Sequence, residues 1–384
     1  MDQPTSVNTP LELSFHTSLT EIDSQEWNAL AGVGDPFIRY EFLIALEKNN
    51  CVGQEYGWYP YHLAVRDVDR NLLGVCPLYI KTNSYGEFVF DWSWASAYER
   101  AQLEYYPKMV CSVPYNPVTG TRLLTASSAI KKIMVEQIIK LADEMKMSGV
   151  HFLFTNEQDT DICESLELQQ RLGCQYHWHN HDYVDFDDFI AGFVSRKRKK
   201  VKRERRKVQE QHISFEIITG DQASPQRIAK AHQYYVSTFD RKSGLPTLNL
   251  GFFKQIAATM GQQLLFIFAL HEDHPIACAI CFLGEDTLYG RFWGCEKDYD
   301  SLHFETCFYQ GIDYCIKHKL KRFEPGAQGE HKITRGFLPT QTRSAHWIAH
   351  PQFRKPIYEF CQRESKGIHH QCSELMSLSP FRDD

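Results

Sequence analysis

The sequence lacks any apolar stretch long enough to cross a bilayer. Its longest strictly apolar runs, Leu264 to Leu270 and Ile276 to Leu283, contain seven and eight residues, whereas a membrane-spanning helix needs roughly 20. The first ten residues, MDQPTSVNTP, include neither a basic segment nor an apolar one, so we expect no signal peptide. We therefore expect no transmembrane segment and a cytoplasmic location.

Low-complexity segments, Pro/Gly-rich linkers and repeats at solenoid spacing are also absent. The 384 residues are 43% hydrophobic and 23% charged, which is typical of a globular chain with room for two domains. No G-x-S-x-G sequence occurs, which argues against a covalent serine mechanism. The 12 cysteines are scattered, and without a secretory signal they are expected to be free thiols with packing roles.

Positive charge is concentrated in one short segment. Between Arg196 and Lys207 lie ten Lys or Arg residues and a single acid, Glu204, although the whole chain carries a net charge of −6. An acidic protein with one intensely basic segment is expected to present that segment to an anion. We expect Arg203, Arg205 and Arg206 to contact a polyanion, either RNA or an anionic membrane surface.

The same segment carries an apolar pattern. Ile190, Val194, Val201 and Val208 recur at spacings of four and seven, which predicts a helix that docks along one narrow seam. We interpret residues 186–211 as a basic connecting helix between an N-terminal domain (1–185) and a C-terminal domain (212–384). A plain solvated linker helix is the alternative.

The two halves share a pattern of elements. YHLAVRDVDRNLLGVCPLYIK in the first half and LLFIFALHEDHPIACAICFLGE in the second each predict a strand, an acidic turn and another strand. An aromatic-rich segment that we interpret as a strand follows in each, VFDWSWA and TLYGRFWG, and helical patterns flank both. The fold class is therefore α/β (α+β), with two similar domains of mostly antiparallel mixed sheet flanked by helices.

Several specific motifs run along nearly the whole chain. In order they are PFIRYEFLIALE (36–47), GWYPYHLAV (57–65), PLYIK (77–81), VFDWSWASAYER (89–100), YYPKMVCSVPYNPVTGTRLL (105–124), HWHN (177–180), SRKRKKVKRERR (195–206), GRFWGC (290–295), HFETCFYQGIDYCI (303–316), FEPGAQGEHKITRGFLPT (323–340) and SAHWI (344–348). Together they resemble the bacterial FemAB-like family, which is assigned to the GNAT acyltransferase superfamily and often labelled as peptidoglycan biosynthesis or N-acyltransferase proteins.

This resemblance implies two tandem GNAT-like domains. It also implies transfer of an acyl or aminoacyl group from acyl-CoA or aminoacyl-tRNA to an amine, such as that of a peptidoglycan precursor, with no tightly bound cofactor. The sequence departs from the usual GNAT pattern, because no Q/R-x-x-G-x-G/A lies between a strand and a helix. We therefore do not expect backbone amides to cradle a CoA pyrophosphate in either half.

Acyl transfer to an amine needs a base, a donor to the carbonyl oxygen and an acid for the leaving group. In FEPGAQGEHK, Glu324 ends a predicted strand and the following Pro and Gly break it. We choose Glu324 as general base and Gln328 as the carbonyl or substrate donor, with His331 or Lys332 binding the anionic part of a substrate. An exposed turn is the alternative.

The strand TLYGRFWG presents Tyr289, Arg291 and Trp293 on one face if side chains alternate. This arrangement predicts a clamp for a phosphate or carboxylate, and we also place Tyr289 among the catalytic candidates. Beyond the strand, His303 and Glu305 are expected in the first turn of a helix that Asp300 or Ser301 caps. They would either bind a substrate there or, in the case of Glu305, complement the positive end of the helix dipole.

Two further sets of residues are candidates for substrate or anion binding. His177 and His179 share a strand face with His181, but no nearby Cys or acid has ligand spacing, so we predict no metal. In the first domain, Lys108 and Arg122 lie on either side of a Pro-rich segment and a Thr-Gly-Thr turn that precede a predicted helix. A rigid loop is the alternative there.

The alternative function for the whole chain is that of a non-catalytic GNAT-like protein that binds RNA or an anionic membrane.

Overall fold

The computed structural model describes residues 10–242, 244–327 and 329–382, with the side chain of Lys242 excepted. Its chain divides into two compact units. Unit 1 comprises residues up to Gly173 together with Thr342–Ile368, and unit 2 comprises Cys174–Gln341 together with the residues from His369 onward. These boundaries differ from those expected at residues 185 and 211, because the basic helix belongs to unit 2 and a C-terminal segment returns to unit 1.

The described residues of unit 1 include seven strands that lie wholly in this unit, five α-helices, and parts of three elements that cross the division. Its elements are β1 (Glu12–His16), α1 (Ser24–Ala31), α2 (Tyr40–Lys48), β2 (Trp58–Pro60), β3 (His62–Arg66), β4 (Leu72–Cys76), β5 (Leu78–Lys81), α3 (Trp92–Arg100), β6 (Lys108–Cys111), α4 (Ser128–Glu144), β7 (Gly149–Leu153) and α5 (Glu157–Ser165). The crossing elements are β8 (Gln169–His179), β14 (Leu338–Ile348) and α12 (Pro351–Met376).

The strands of unit 1 form two sheets. One has the order β1-β3-β4 and is antiparallel, and the other has the order β2-β5-β6-β7-β14 with β6 and β7 parallel. Helix α4 connects the parallel pair, and its N-cap Ser127 accepts a hydrogen bond from Ile130 N–H. The buried residues Ile130, Met134 and Ile138 recur at four-residue spacing and give α4 an apolar face for the sheet.

Unit 2 contains the second α/β arrangement. Its elements are the end of β8, α6 (Phe186–Ala191), α7 (Ser195–Glu210), β9 (Ile213–Thr219), α8 (Pro225–Lys242), α9 (Leu250–Thr259), β10 (Leu264–His271), β11 (His274–Leu283), β12 (Thr287–Cys295), α10 (Leu302–Phe304), a π-helical turn (Glu305–Tyr309), α11 (Gln310–Lys317), β13 (Arg322–Glu324), a 3₁₀ turn (Glu330–Arg335) and the start of β14.

The strands of unit 2 have the order β8-β13-β12-β11-β10-β9. Strands β9 to β12 form an antiparallel meander, whereas β12 and β13 run parallel and the segment from α10 to α11 connects them. The tight turn between β10 and β11 places Glu272 and Asp273 at φ values of 49° and 63°, as a two-residue hairpin turn of type I′ requires. The predicted fold class, with mixed sheets flanked by helices, is confirmed.

Two local predictions need correction. VFDWSWA is not a strand, because Trp92–Arg100 form helix α3 and bury Trp94 and Tyr98 on one side four residues apart. The predicted helix over 186–211 is also divided into α6 and α7 by residues 192–194. Within the described part of the chain, every helix is too short or too polar to span a membrane.

Candidate functional site

The site begins where two parallel strands of unit 2 stop pairing. The last paired residues of β12 and β13 are Tyr289 and Glu324, and beyond them lies a cavity of about 480 Å³. A Cβ atom on Gly290 would lie 3.3 Å from the Pro325 Cα atom, so glycine allows the two chain segments to approach closely here. The cavity is therefore the space left between the ends of the strands.

A β-bulge shapes one wall of the cavity. Phe292 lies opposite Ile280 and Gly290 lies opposite Cys281, so Arg291 is the additional residue on β12. The bulge reverses the alternation of side chains after Gly290. Trp293 consequently packs in the same apolar cluster as Leu288, and Phe292 packs against Tyr235 at a ring distance of 4.9 Å on the opposite face.

This bulge corrects the predicted clamp. Tyr289 lies on the strand face opposite that of Leu288, whereas Trp293 shares the face of Leu288. Arg291 and Trp293 both line the cavity, but Tyr289 does not appear in its lining. The simple period of two failed because the sequence gives no indication of the extra residue.

The cavity lining is basic. Arg291, Lys332, His303 and His331 contribute side chains to it, and the lining among the described residues includes no carboxylate. Lys332 is only 3% exposed, and its Nζ donates a hydrogen bond to the Gly326 carbonyl oxygen at 2.6 Å. Burial lowers the pKa of Lys332 to about 7, and the charge of Arg291 also lowers it, whereas Cys307 opposes the change.

Arg291 remains a cation at neutral pH. Desolvation lowers its pKa to about 10, and the charge of Glu324 opposes this shift. Because Arg291 influences the pKa of Lys332 and is itself influenced by Glu324, the three groups are electrostatically linked. The guanidinium cation of Arg291 can stabilise negative charge on a substrate oxygen in this cavity.

Aromatic rings form the rest of the wall. His303 lies 5.3 Å from the Trp293 ring and 5.4 Å from the Phe308 ring, and His331 lies 5.7 Å from Phe308. Burial, followed by the charge of Arg335, lowers the pKa of His331, which favours a neutral imidazole. A second cavity of about 310 Å³ shares Trp293 and His303 with the first, so this pair separates two spaces.

Glu324 belongs to a second polar group on the other face of the sheet. It is 4% exposed, its Oε1 lies 3.1 Å from Arg322 Nε, and its Oε2 lies 3.8 Å from His177 Nε2. Burial lowers the pKa of His177 to about 3, which keeps that imidazole neutral. Tyr289 also belongs here, because it pairs in register with Glu324.

The predicted residues of unit 2 are thus divided between two groups. Arg291, Trp293, His303, His331 and Lys332 line the cavity, whereas Glu324, Tyr289 and His177 lie behind it. His179 is exposed and is paired in register with Arg322. Gln328, the predicted carbonyl donor, lies outside the described residues.

Glu305 has a structural environment that the sequence did not indicate. Its carboxylate accepts hydrogen bonds from Arg205 at 3.2 Å and from Gln310 at 2.8 Å, and burial raises its pKa. Arg205 also pairs with Asp313 at 2.6 Å and covers the Phe186 ring. The structure therefore places Arg205 in a docking contact of α7, not on the polyanion-binding surface expected from the sequence, and Glu305 does not line the cavity.

Lys108 and Arg122 lie in the interior of unit 1, at 0% and 1% exposure. The ammonium group of Lys108 contacts Glu87 at 2.8 Å and also pairs with Asp91. The guanidinium of Arg122 donates to the carbonyl oxygens of Leu153, Thr121 and Val118. Their position corrects the expected role, because internal partners already occupy both cations and neither reaches a binding surface.

The sequence analysis also did not predict a buried, hydrogen-bonded carboxylate beside the site. Glu204, the only acid in the basic segment, is buried and accepts hydrogen bonds from Arg335 at 2.7 Å and 3.1 Å and from the Tyr309 hydroxyl. The position of a lone acid at spacings of three and four from Val201 and Val208 is the signal that could have indicated it. Among the described residues, no three His, Cys, Asp or Glu side chains come together as a metal site.

Comparisons with solved structures identify the fold. FemX superposes with a TM-score of 0.51 at 12% identity, covering 88% of this chain and 98% of that chain. L-PGS from Bacillus licheniformis gives 0.54 at 10% identity, covering 89% and 96%. A weaker likeness, at 0.45 and 8% identity, is to a tandem GNAT protein from the clavulanic acid biosynthesis pathway, covering 89% and 99%. At these identities the first two likenesses show the fold alone.

No match was found among curated proteins. The sequence model of one family, however, matches residues 18–383, almost the entire chain. The chain belongs to the FemAB-like family of peptidoglycan biosynthesis and recognition proteins.

Proposed function

We propose that this protein transfers an acyl or aminoacyl group to an amine, and that the cavity beyond β12 and β13 is the site of reaction. The observation that carries the proposal is Lys332, a buried amine on the cavity wall whose pKa is lowered to about 7 by desolvation. A group with this pKa is present in both protonation states near neutral pH, so it can take up a proton and return it.

The proposed reaction has two steps. The amine of the acceptor attacks the carbonyl carbon of an ester or thioester, and neutral Lys332 accepts the proton that the amine loses. Arg291 stabilises the negative charge on the carbonyl oxygen of the tetrahedral intermediate. When the bond to the leaving oxygen or sulfur breaks, protonated Lys332 returns its proton to that atom, and an amide and an alcohol or thiol are released.

Lys332 is preferred to Glu324 as the group that exchanges a proton. Glu324 does not appear in the cavity lining, and its carboxylate is held by Arg322 at 3.1 Å. We propose that Glu324 supports the site electrostatically instead, since its charge raises the pKa of Arg291 against the effect of burial. Glu324 is then a positioning residue in this proposal.

The sequence favours an aminoacyl ester over acyl-CoA as donor. The pyrophosphate of CoA needs backbone amides and positive charge at the start of a helix, and no Q/R-x-x-G-x-G/A segment is present to supply them. Aminoacyl-tRNA carries its ester at a ribose and needs no such pyrophosphate site. In keeping with the family description, the acceptor would be an amine of a peptidoglycan precursor.

The test is a transfer assay with purified protein, a muropeptide that carries a free amine, and either mixed aminoacyl-tRNA or acyl-CoA. We expect amide product from aminoacyl-tRNA, and Lys332→Gln should lower the rate by about 10²- to 10⁴-fold. Lys254→Gln, an exposed lysine on α9, is the matched control and should retain full activity. Product from acyl-CoA alone would overturn the donor assignment, and unchanged activity of Lys332→Gln would overturn the mechanism.

A further inference from the structure

Helix α7 presents a dense group of cations away from the reaction cavity. Five exposed side chains recur at spacings of three and four residues, which places them along one side of the helix; we name them the cationic face, and they are Arg196, Lys199, Lys202, Arg203 and Arg206. None of them lines either cavity near β12. From Arg196 to Arg206 the helix rises about 15 Å, so the charges form an extended strip.

The docking of α7 fixes which side this strip occupies. Val201, Glu204 and Val208 are the buried residues of the helix, and Glu204 is held by Arg335. Arg205 is held by Glu305 and Asp313. These contacts determine the rotation of the helix about its axis, so the cationic face is a fixed surface and not the average of a freely rotating segment.

Few acids neutralise the cationic face. Among the described residues, Lys202 pairs with Asp187 at 2.8 Å and Arg206 with Glu210 at 3.6 Å. No carboxylate of the described chain comes within 4.0 Å of Arg196, Lys199 or Arg203. Placing so many like charges side by side costs free energy that an anionic surface would recover.

Exposed aliphatic side chains lie at the start of the same helix. Val194, the N-cap residue of α7, is 38% exposed. Its N–H donates to the Pro380 carbonyl oxygen at 2.8 Å, which brings the C-terminal segment against this end of the helix. Leu378 and Met376, on that segment, are 52% and 44% exposed. Cations and protruding aliphatic groups therefore occur together.

This combination distinguishes between two anionic partners. Single-stranded RNA is usually held by cations together with aromatic rings on which bases stack, whereas lipid is held by cations together with aliphatic groups that enter the interface. The large apolar residues that are exposed among the described residues of unit 2 are Val184, Val194, Leu245, Met376 and Leu378; none is aromatic. We propose that the cationic face, with Val194 and Leu378, docks on an anionic lipid surface. This proposal does not depend on the proposed reaction.

The test is cosedimentation of the full chain with vesicles of phosphatidylcholine mixed with phosphatidylglycerol, and with vesicles of phosphatidylcholine alone. We expect binding to the anionic vesicles that weakens with added salt. Replacing Arg196, Lys199 and Arg203 by Gln should weaken it by about 100-fold, since each cation near the surface contributes about fivefold. The matched control replaces Lys254, Lys317 and Lys321, three exposed lysines elsewhere in unit 2, and should bind as the parent does.

A second variant separates lipid from RNA. Leu378→Ser leaves every charge in place and should weaken vesicle binding several-fold without changing the retention of mixed tRNA on a filter. Circular dichroism of each variant should match that of the parent. If the protein retains tRNA but not anionic vesicles, or if the triple variant and its control bind vesicles equally, the proposal is overturned. Equal binding to both kinds of vesicle would also overturn it.

Discussion

The two units contain the same parallel strand–helix–strand arrangement, β6–α4–β7 in unit 1 and β12 to β13 in unit 2, but the space beyond the paired strands differs. In unit 1 the chain after β6 fills this space, and an isolated bridge between Gly120 and Thr155 continues the parallel pairing. The guanidinium of Arg122 closes the region by donating to three carbonyl oxygens. In unit 2 pairing ends at Tyr289 and Glu324 and the cavity remains open.

The buried cations of the two units differ in the same way. Lys108 lies between two carboxylates. Desolvation is the largest single effect and lowers the pKa of Lys108, but the two carboxylates together raise it above the usual value. Lys108 is therefore a permanent ammonium with a structural role. Lys332 has no carboxylate partner within 4.0 Å among the described residues, and burial lowers its pKa to about 7. A buried lysine therefore supports structure when paired, whereas an unpaired one beside a cavity is suited to proton transfer.

The largest expected effect comes from exchanging the two lysines for methionine, one at a time. Lys332→Met should lower the transfer rate by about 10²- to 10⁴-fold while leaving the free energy of unfolding at pH 7 close to that of the parent. Lys108→Met should lower the free energy of unfolding by about 3–5 kcal/mol, because it leaves Glu87 and Asp91 buried without their cation. Urea titration followed by circular dichroism measures the second quantity.

The contrast between the two lysines is wrong if Lys332→Met lowers stability and Lys108→Met does not. A Lys108→Met protein that unfolds at the same urea concentration as the parent would show that its carboxylates find other partners or become protonated. Lys108→Arg, which keeps the charge but enlarges the group, should cost less stability than Lys108→Met.

A pH profile should separate the two lysines further. Since the reaction needs neutral Lys332, the transfer rate should rise with pH through about 7 and then level off. Lys332→Arg should be inactive at every pH, because an arginine does not lose its proton in this range.

Lys332 should also affect the pH dependence of stability. Its pKa is lower in the folded state than in the unfolded state. Between about pH 7 and the usual lysine pKa the unfolded state therefore binds more protons, and the contribution of Lys332 makes the free energy of unfolding rise with pH.

Glu87 in unit 1 should act on stability in the opposite sense. Burial raises the pKa of its carboxyl to about 7, although Lys108 opposes the shift. The folded state then binds the additional proton between the usual glutamate pKa and about 7, so the contribution of Glu87 to stability falls as pH rises through that window. Glu87→Gln should flatten this part of a plot of unfolding free energy against pH, and an unchanged slope would contradict the assignment.

The smallest expected effect tests Glu324. As a positioning residue behind the cavity, Glu324→Gln should lower the transfer rate by less than the roughly 10²-fold minimum expected for a group that moves the proton. It should also leave the pH at half-maximal rate near that of the parent. A larger loss, together with disappearance of the pH dependence, would assign the proton transfer to Glu324 and reduce Lys332 to charge stabilisation.

Local reasoning from the sequence succeeded where periodicity or turn chemistry dominates. The two apolar runs on either side of the acidic pair Glu272 and Asp273 specify a hairpin, because both strands are buried and only a short polar turn separates them. It failed at VFDWSWA, where aromatic residues favour a strand but a helical spacing of buried Trp94 and Tyr98 decides the outcome. It also failed at Arg291, since a bulge shifts register without a local signal.

By itself the sequence determined the α/β class, the basic helix and the loop that carries Lys332, because these follow from residue types and their spacing along the chain. Only the tertiary structure decided which charges are available to a ligand. Lys108, Arg122 and Arg205 carry the charge expected of binding residues, but carboxylates or several carbonyl oxygens inside the protein occupy them. Lys332 contacts a single carbonyl oxygen and lines a cavity, and the cationic face is exposed. Charge is a property of a side chain, but its desolvation and pairing depend on residues distant in the sequence.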